Sequence, residues 1–194
     1  MDTKKFIATS IRKYLNEEIG GKIKTGVDFV YQQHPELTNI GTPEQYSQYL
    51  DTIFPNSKLK DIIYHGGKSE FETFINRYVD DEVGVMNGIY LTHNINYAKE
   101  YGPKIKSLLI NAINPLNTEG SWTGIINDET KQKVLDKGYD VIVNHAFDNS
   151  KIRKLLDKLN ISRMRQEIIV FEPEKIHILG SKQDIEGFKN FVKK

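Results

Sequence analysis

"DIIYHGG", residues 61–67, begins as a hydrophobic strand and ends with a histidine followed by two glycines. The two isoleucines and the tyrosine are typical of a buried strand, which we expect to end at His65. Gly66 and Gly67 then leave bare backbone at the strand end. Two interpretations fit this pattern: a plain turn, or a planar group that lies against the backbone. The rest of the sequence is needed to decide between these two interpretations.

The composition of the 194 residues is ordinary for a globular protein, with 38% hydrophobic and 27% charged residues. The net charge of +1 gives no global attraction to nucleic acid or to a membrane. Because cysteine is absent, disulfides, thiolate metal sites and cysteine nucleophiles are excluded. No apolar run is long enough to cross a bilayer, and the N-terminus has no apolar signal core. We therefore expect a cytoplasmic protein without a membrane partner, or one delivered into a target cell by a specialised system.

Residues 1–55 are interpreted as a helical N-terminal extension. Residues 4–18 carry an amphipathic stripe that predicts a helix. A poorly periodic stretch follows, up to about residue 41. The segment Thr42-Pro43-Glu44-Gln45 then forms a capping box with proline at the first helical position, which predicts a helix to about residue 54.

Residues 56–194 are interpreted as the main domain, because every predicted strand lies there. The predicted strands are KDIIYHG, GIYLT, IKSLLINAI, YDVIVN, EIIVFE and KIHIL. Helices are predicted after caps at Ser69, Asn94, Ser150 and Ser181 and over 128–137, and residues 79–87 are predicted to form an acidic loop. Because strands and helices mix without a repeating βαβ rhythm, the pattern favours an α+β fold over a doubly wound parallel sheet.

Several common chemistries are excluded by missing motifs. The chain contains no P-loop, no G-x-G-x-x-G turn and no G-x-S-x-G elbow. The five histidines show neither H-x-x-x-H nor H-E-x-x-H spacing, so we expect no metal site.

Three placements remain as candidates for chemistry. His65 lies at a strand end before two glycines, Tyr90 and Tyr101 are separated by ten residues, and Glu167 opens an apolar strand. Each has an ordinary explanation when taken alone: a turn histidine, packing tyrosines and a solvated glutamate. Their order along the chain is more specific than any one of them.

Taken together, "YHGG" (64–67), "GIYLTHNINYAKEYG" (88–102) and "QEIIVFEPEKI" (166–176) resemble the three motifs of the H-Y-E class of ADP-ribosyltransferases. This class contains diphtheria-like toxins and the relatives of poly(ADP-ribose) polymerase. The resemblance covers residues 60–180, and the tyrosine pair is its most specific element. It implies an ADP-ribosyltransferase fold, with two packed, mainly antiparallel sheets flanked by short helices. It does not explain the helical residues 1–55.

The resemblance also implies NAD as co-substrate, no metal, and a set of site residues. It places the nicotinamide ring between Tyr90 and Tyr101, where stacking and cation–π contacts contribute ~0.5–2 kcal/mol each. The carboxamide would bond to the backbone of Gly66, and His65 would reach a ribose hydroxyl of the adenosine half. Glu167 would stabilise the oxocarbenium-like ribose as the glycosidic bond breaks. The catalytic candidates are Glu167, His65 and Tyr90, and the NAD-binding candidates are His65, Gly66, Tyr90, Ala98 and Tyr101.

The predicted activity is transfer of ADP-ribose to a macromolecular acceptor, either a protein or a nucleic acid. Ala98 lies where polymerases often have serine, which favours mono-ADP-ribosylation. The basic stretch 151–165 either borders the acceptor site or forms a solvated helix face. Two alternatives stay open: an NAD glycohydrolase that uses the same pocket, and a non-catalytic module that binds NAD or ADP-ribose. The sequence indicates neither the acceptor nor the oligomeric state.

Overall fold

The computed structural model describes residues 23–75, 79–81, 84–86, 88–119, 127–145 and 166–193. The helices predicted over 4–18 and after Ser150, and the basic stretch 151–165, lie outside the described residues.

The described helices and strands alternate irregularly along the chain. The helices are α1 (Val27–Gln33), α2 (Pro43–Ile53), α3 (Ile95–Glu100), α4 (Asp128–Asp136) and α5 (Lys182–Val192), with 3₁₀ turns at Pro35–Asn39 and Pro173–Lys175. The strands are β1 (Ile63–Gly67), β2 (Val79–Asp81), β3 (Gly84–Met86), β4 (Ile89–Leu91), β5 (Lys104–Ile110), β6 (Pro115–Glu119), β7 (Val141–His145), β8 (Gln166–Val170) and β9 (Ile176–Ile178).

Two larger sheets and one hairpin organise these strands. The first sheet has the order β1-β5-β9 and is antiparallel. The second sheet has the order β4-β8-β7-β6, in which the β6–β7 pair is parallel and the other pairs are antiparallel. Strands β2 and β3 form a separate antiparallel hairpin. The predicted α+β class with mainly antiparallel sheets is therefore confirmed.

The two larger sheets pack face to face. Ile63 and Leu108 of the first sheet share a buried cluster with Ile168, Val170 and neighbouring residues of the second. A backbone bridge joins the sheets at one edge, where Tyr64 N–H donates to the Thr92 carbonyl at 2.8 Å and Thr92 N–H donates back at 2.9 Å. This bridge holds the start of β1 close to the end of β4.

Helices α1, α2 and α5 cover the other face of the first sheet. Val30 of α1, Tyr46 of α2 and Phe188 of α5 are fully buried in a cluster that also contains Ile105 and Leu109 of β5. The described part of the predicted N-terminal extension thus packs directly on the sheet. The division of the chain into residues 1–55 and 56–194 stays a prediction.

The strongest capping signals correspond to real helix starts. Thr42 and Gln45 form the predicted capping box, with both reciprocal hydrogen bonds present. Asn94 and Ser181 cap α3 and α5 through their side chains, as predicted.

The predicted helix after Ser69 is wrong within the described residues, because 68–75 contains no helical turn. Glu70 instead forms ion pairs with Lys104 and Lys106 of β5. Phe71 packs edge-on against the His65 ring at 5.7 Å between ring centroids. These contacts with the sheet outweigh the local capping preference, since helix propensity is easily overridden by tertiary packing.

Three further elements differ from the sequence prediction. The acidic segment predicted as a loop contains the β2–β3 hairpin. Helix α1 lies in the stretch that shows poor periodicity, and it begins at Gly26 without a side-chain cap. Strand β6 begins with proline, which is tolerated at the first residue of a strand but gives no strand signal.

Candidate active site

The six predicted site residues line one pocket. It lies where the ends of β1 and β4 meet α3 and the start of β8. Its predicted residues are His65, Gly66, Tyr90, Ala98, Tyr101 and Glu167, and the remaining lining residues are Tyr64, Leu91, Thr92 and Tyr97. Residues from motifs about a hundred positions apart therefore share a common hollow, although their roles stay predictions.

His65 is fixed in one orientation by backbone and aromatic contacts. Its Nδ1 atom lies 2.9 Å from the carbonyl oxygen of Tyr90. Because a carbonyl only accepts, Nδ1 carries the proton and Nε2 of the neutral ring is left as an acceptor. Phe71 and Phe74 pack edge-on against the imidazole. Burial lowers the pKa of His65, and the hydrogen bond to Tyr90 acts in the opposite direction, so the neutral form is favoured.

Gly66 is required by the close approach of α3 to β1. A Cβ atom at Gly66 would lie 1.7 Å from the carbonyl oxygen of Ala98. A Cβ atom at Gly102, after α3, would lie 2.2 Å from the Gly67 oxygen. The missing side chain at Gly66 therefore has a packing reason, in addition to the ligand contact inferred from the sequence.

The backbone of Gly66 is oriented by the same bridge that joins the two sheets. Tyr64 uses its N–H and C=O on Thr92. In an antiparallel strand, residues two positions apart direct these groups toward the same edge. The N–H and C=O of Gly66 thus point toward the edge where the pocket lies.

Tyr97 of α3 and Tyr101, the C-cap residue of this helix, lie one turn apart. The Asn94 side chain accepts hydrogen bonds from the N–H groups of Asn96 and Tyr97, which fixes the start of the helix. The rings of Tyr97 and Tyr101 meet edge to face, with centroids 5.3 Å apart at an interplanar angle of 82°. Tyr101 is 55% exposed, so much of its ring is accessible to a ligand. Tyr90 lies on β4, opposite Ile169 of β8.

Glu167 is held by a tyrosine that the sequence motifs did not single out. The Tyr97 hydroxyl donates to Oε1 of Glu167 at 2.9 Å and lies 2.6 Å from the Tyr101 hydroxyl. Burial, followed by the hydrogen bonds to Tyr101 and Glu167, raises the pKa of Tyr97, so its phenol stays protonated. The available sequence signal for Tyr97 was its four-residue spacing from Tyr101 after the Asn94 cap.

A second polar group lies beside the carboxylate in the sheet. Asn144 of β7 pairs with Glu167 in the strand register and is 3% exposed. Its Oδ1 atom accepts a hydrogen bond from the Thr118 hydroxyl of β6 at 3.3 Å. Asn144 was also missed, because one asparagine at the end of a predicted strand carries no distinctive spacing.

Neither a metal-binding cluster nor a membrane-spanning helix occurs in the part of the chain that the structure describes. In that part of the chain, no group of three or more histidine, aspartate or glutamate side chains is arranged to hold a metal ion. None of the helices described is both long and apolar enough to cross a bilayer.

The chain matches the model of a known protein family. A family model described as "ADP-ribosyltransferase in polyvalent proteins" matches residues 59–185, which is more than half of the chain. The matched range contains all the described residues that line the pocket. The two packed, mainly antiparallel sheets with short helices are consistent with an ADP-ribosyltransferase fold. No curated protein matches the chain significantly.

Proposed function

The chain belongs to the family of ADP-ribosyltransferases in polyvalent proteins, and from this premise we propose that it is an NAD-dependent mono-ADP-ribosyltransferase of the H-Y-E class. It would cleave the nicotinamide glycosidic bond of NAD and transfer ADP-ribose to a protein or nucleic-acid acceptor. The observation that carries the proposal is the convergence of His65, Tyr90, Tyr101 and Glu167 on one pocket.

The pocket has suitable groups for the nicotinamide half of NAD. The N–H and C=O of Gly66 supply the donor and acceptor that a carboxamide needs. The exposed Tyr101 ring and the Tyr90 ring supply aromatic surfaces for the cationic pyridinium, each contributing ~0.5–2 kcal/mol. For the adenosine half, the neutral His65 ring supplies an acceptor nitrogen for a ribose hydroxyl. Ala98 gives the small side chain that a flat ring requires beside it.

The reaction balances without a metal or a redox partner. The bond between ribose C1′ and the pyridinium nitrogen breaks, and its electron pair returns to the ring to give neutral nicotinamide. A lone pair of the acceptor forms the new bond to C1′, and the proton of the acceptor is released. A Glu167 carboxylate bonded to the ribose 2′-hydroxyl stabilises the positive charge that develops on the sugar. This interaction strengthens in the transition state and therefore raises kcat.

Incubation with NAD labelled in its adenylate part tests the proposal. Label attached to a macromolecule in a cell lysate supports transfer, and digestion with protease or nuclease identifies the acceptor class. Free ADP-ribose would instead support a glycohydrolase, and unchanged NAD would support a binding module or overturn the donor assignment. The control is Glu167→Gln, which should bind NAD to within about tenfold of the wild type, because its main contribution belongs to the transition state.

A further inference from the structure

The Tyr97 hydroxyl contacts two of the predicted site residues. It lies between Glu167 at 2.9 Å and the Tyr101 hydroxyl at 2.6 Å. An ionised carboxylate only accepts, so the single Tyr97 proton goes to Glu167. Tyr101 must then be the donor in the second contact. The three groups form a chain in which Tyr101 donates to Tyr97 and Tyr97 donates to Glu167.

We propose that Tyr97 is a positioning residue for the reaction, and that its hydroxyl fixes the Glu167 carboxylate in the orientation needed beneath the ribose. This proposal rests on the proposed function, because it concerns the same carboxylate. With Oε1 held by Tyr97, Oε2 would be the oxygen that meets the 2′-hydroxyl of the sugar.

Both ends of this contact are held on ordered elements. The Tyr97 backbone N–H bonds to the Asn94 cap, and the packing of α3 against β1 is fixed at Gly66. Glu167 lies on β8, which is paired on one side with β4 and on the other with β7. A hydroxyl on a capped helix and a carboxylate on a central strand can hold their relative position closely, as a catalytic group requires.

A phenol suits this role better than a charged donor would. Burial and its two hydrogen bonds keep Tyr97 protonated, so it donates to Glu167 without neutralising the carboxylate charge. A chain of hydroxyls also strengthens each hydrogen bond by polarisation. Tyr101 thereby acquires a second role: its ring is available to NAD while its hydroxyl supports Tyr97.

The test is Tyr97→Phe, which keeps the ring and removes the hydroxyl. We expect kcat to fall about 10- to 100-fold, the size of a lost hydrogen bond to a charged group, while KM for NAD changes less than about threefold. The matched control is Tyr31→Phe, which removes a hydroxyl bonded to the Gly41 carbonyl outside the pocket and should leave both constants unchanged. A purely structural role for Tyr97 would instead lower the melting temperature and leave kcat unchanged in the folded protein.

A double variant makes the assignment specific to Glu167. If Tyr97 acts through this carboxylate, Tyr97→Phe should change the residual rate of Glu167→Gln by less than about twofold. An active wild type whose Tyr97→Phe variant keeps full kcat overturns the positioning role alone. An additional tenfold loss in the double variant also overturns it. A wild type that binds NAD without turning it over overturns the proposed function, and the positioning role with it.

Discussion

Two carboxylates of this protein, Asp184 and Glu167, each accept a hydrogen bond from a buried tyrosine, yet their surroundings differ. Asp184 is fully buried in the first turn of α5. Its oxygens meet the Tyr46 hydroxyl, the Gly180 N–H at 2.8 Å and His177 Nε2 at 2.8 Å. Glu167 lines the pocket, where Tyr97 is its donor among the described residues.

The difference lies in how accessible each carboxylate is to a ligand. Both oxygens of Asp184 accept hydrogen bonds from protein donors. These bonds connect α2, the end of β9 and α5. Such a group, fully buried among its donors, stabilises the fold and lies out of reach of a ligand. Glu167 lines the pocket, where the Tyr97 contact orients its carboxylate within reach of a ligand. The comparison supports a structural role for Asp184 and is compatible with the catalytic role that we propose for Glu167.

The strongest test of this contrast is Asp184→Ala. Removing the carboxylate leaves several buried donors without an acceptor, and we expect the free energy of unfolding to fall by roughly 3–5 kcal/mol. Urea denaturation measures this loss. Asp184→Asn, which keeps the volume and one acceptor oxygen, should lose less. A loss below about 1 kcal/mol for the alanine variant, the range of an ordinary substitution, would contradict the structural role.

Glu167→Gln should lower the rate and leave the stability nearly unchanged, which is the opposite of the effect expected for Asp184→Ala. We expect kcat to fall at least about a hundredfold, because the glutamine lacks the charge that stabilises the developing cation. The free energy of unfolding should stay within about 0.5 kcal/mol of the wild type, since the site is partly open to solvent. Both measurements on one protein preparation separate catalysis from folding. A Glu167→Gln variant that loses stability and keeps its rate would contradict the catalytic role assigned to Glu167.

Sequence predicted the Glu167 region better than the Asp184 region. The three motifs gave the ADP-ribosyltransferase membership, which the family match confirms, and six residues that share one pocket. The Asp184 cluster brings together residues up to 138 positions apart through donors that form no local motif. Tyr97 was missed for the same reason, since its partner Glu167 lies 70 positions later. Spacing reveals neighbours along one helix or strand, whereas contacts between distant elements depend on the packed fold.

Tyr101→Ala should produce a smaller effect, on donor binding. The loss of one aromatic face for the pyridinium should weaken NAD binding by ~1–2 kcal/mol, measured by isothermal titration calorimetry. Tyr101→Phe keeps the face and removes only the hydroxyl, so its affinity should stay close to that of the wild type. This pair sharpens the comparison because it separates the ring from the hydrogen-bond chain that ends at Glu167. Normal NAD affinity in the alanine variant would remove Tyr101 from the nicotinamide site.

The smallest expected effect is on the pH dependence of stability. It concerns His65 of the pocket, which we compare with His177 beside Asp184. His177 bonds to the Asp184 carboxylate, whereas His65 bonds to the neutral carbonyl of Tyr90. Burial lowers the pKa of His65 in the folded protein, while the unfolded chain titrates near its ordinary value of about 6.5. Below that pH the unfolded state binds a proton that the folded state resists, so this contribution to stability is present at higher pH and is lost on acidification.

His65→Asn tests this directly, because the asparagine amide can still donate to the Tyr90 carbonyl but does not titrate. We expect the wild type to lose more unfolding free energy than the variant between pH 7.5 and pH 5.5, as measured by urea denaturation at each pH (roughly one unit either side of the ordinary histidine pKa). Because the two proteins differ only at residue 65, the difference between the two curves isolates the contribution of His65. Parallel curves would mean that His65 accepts its proton as easily folded as unfolded, and a steeper loss in the variant would reverse the assigned direction.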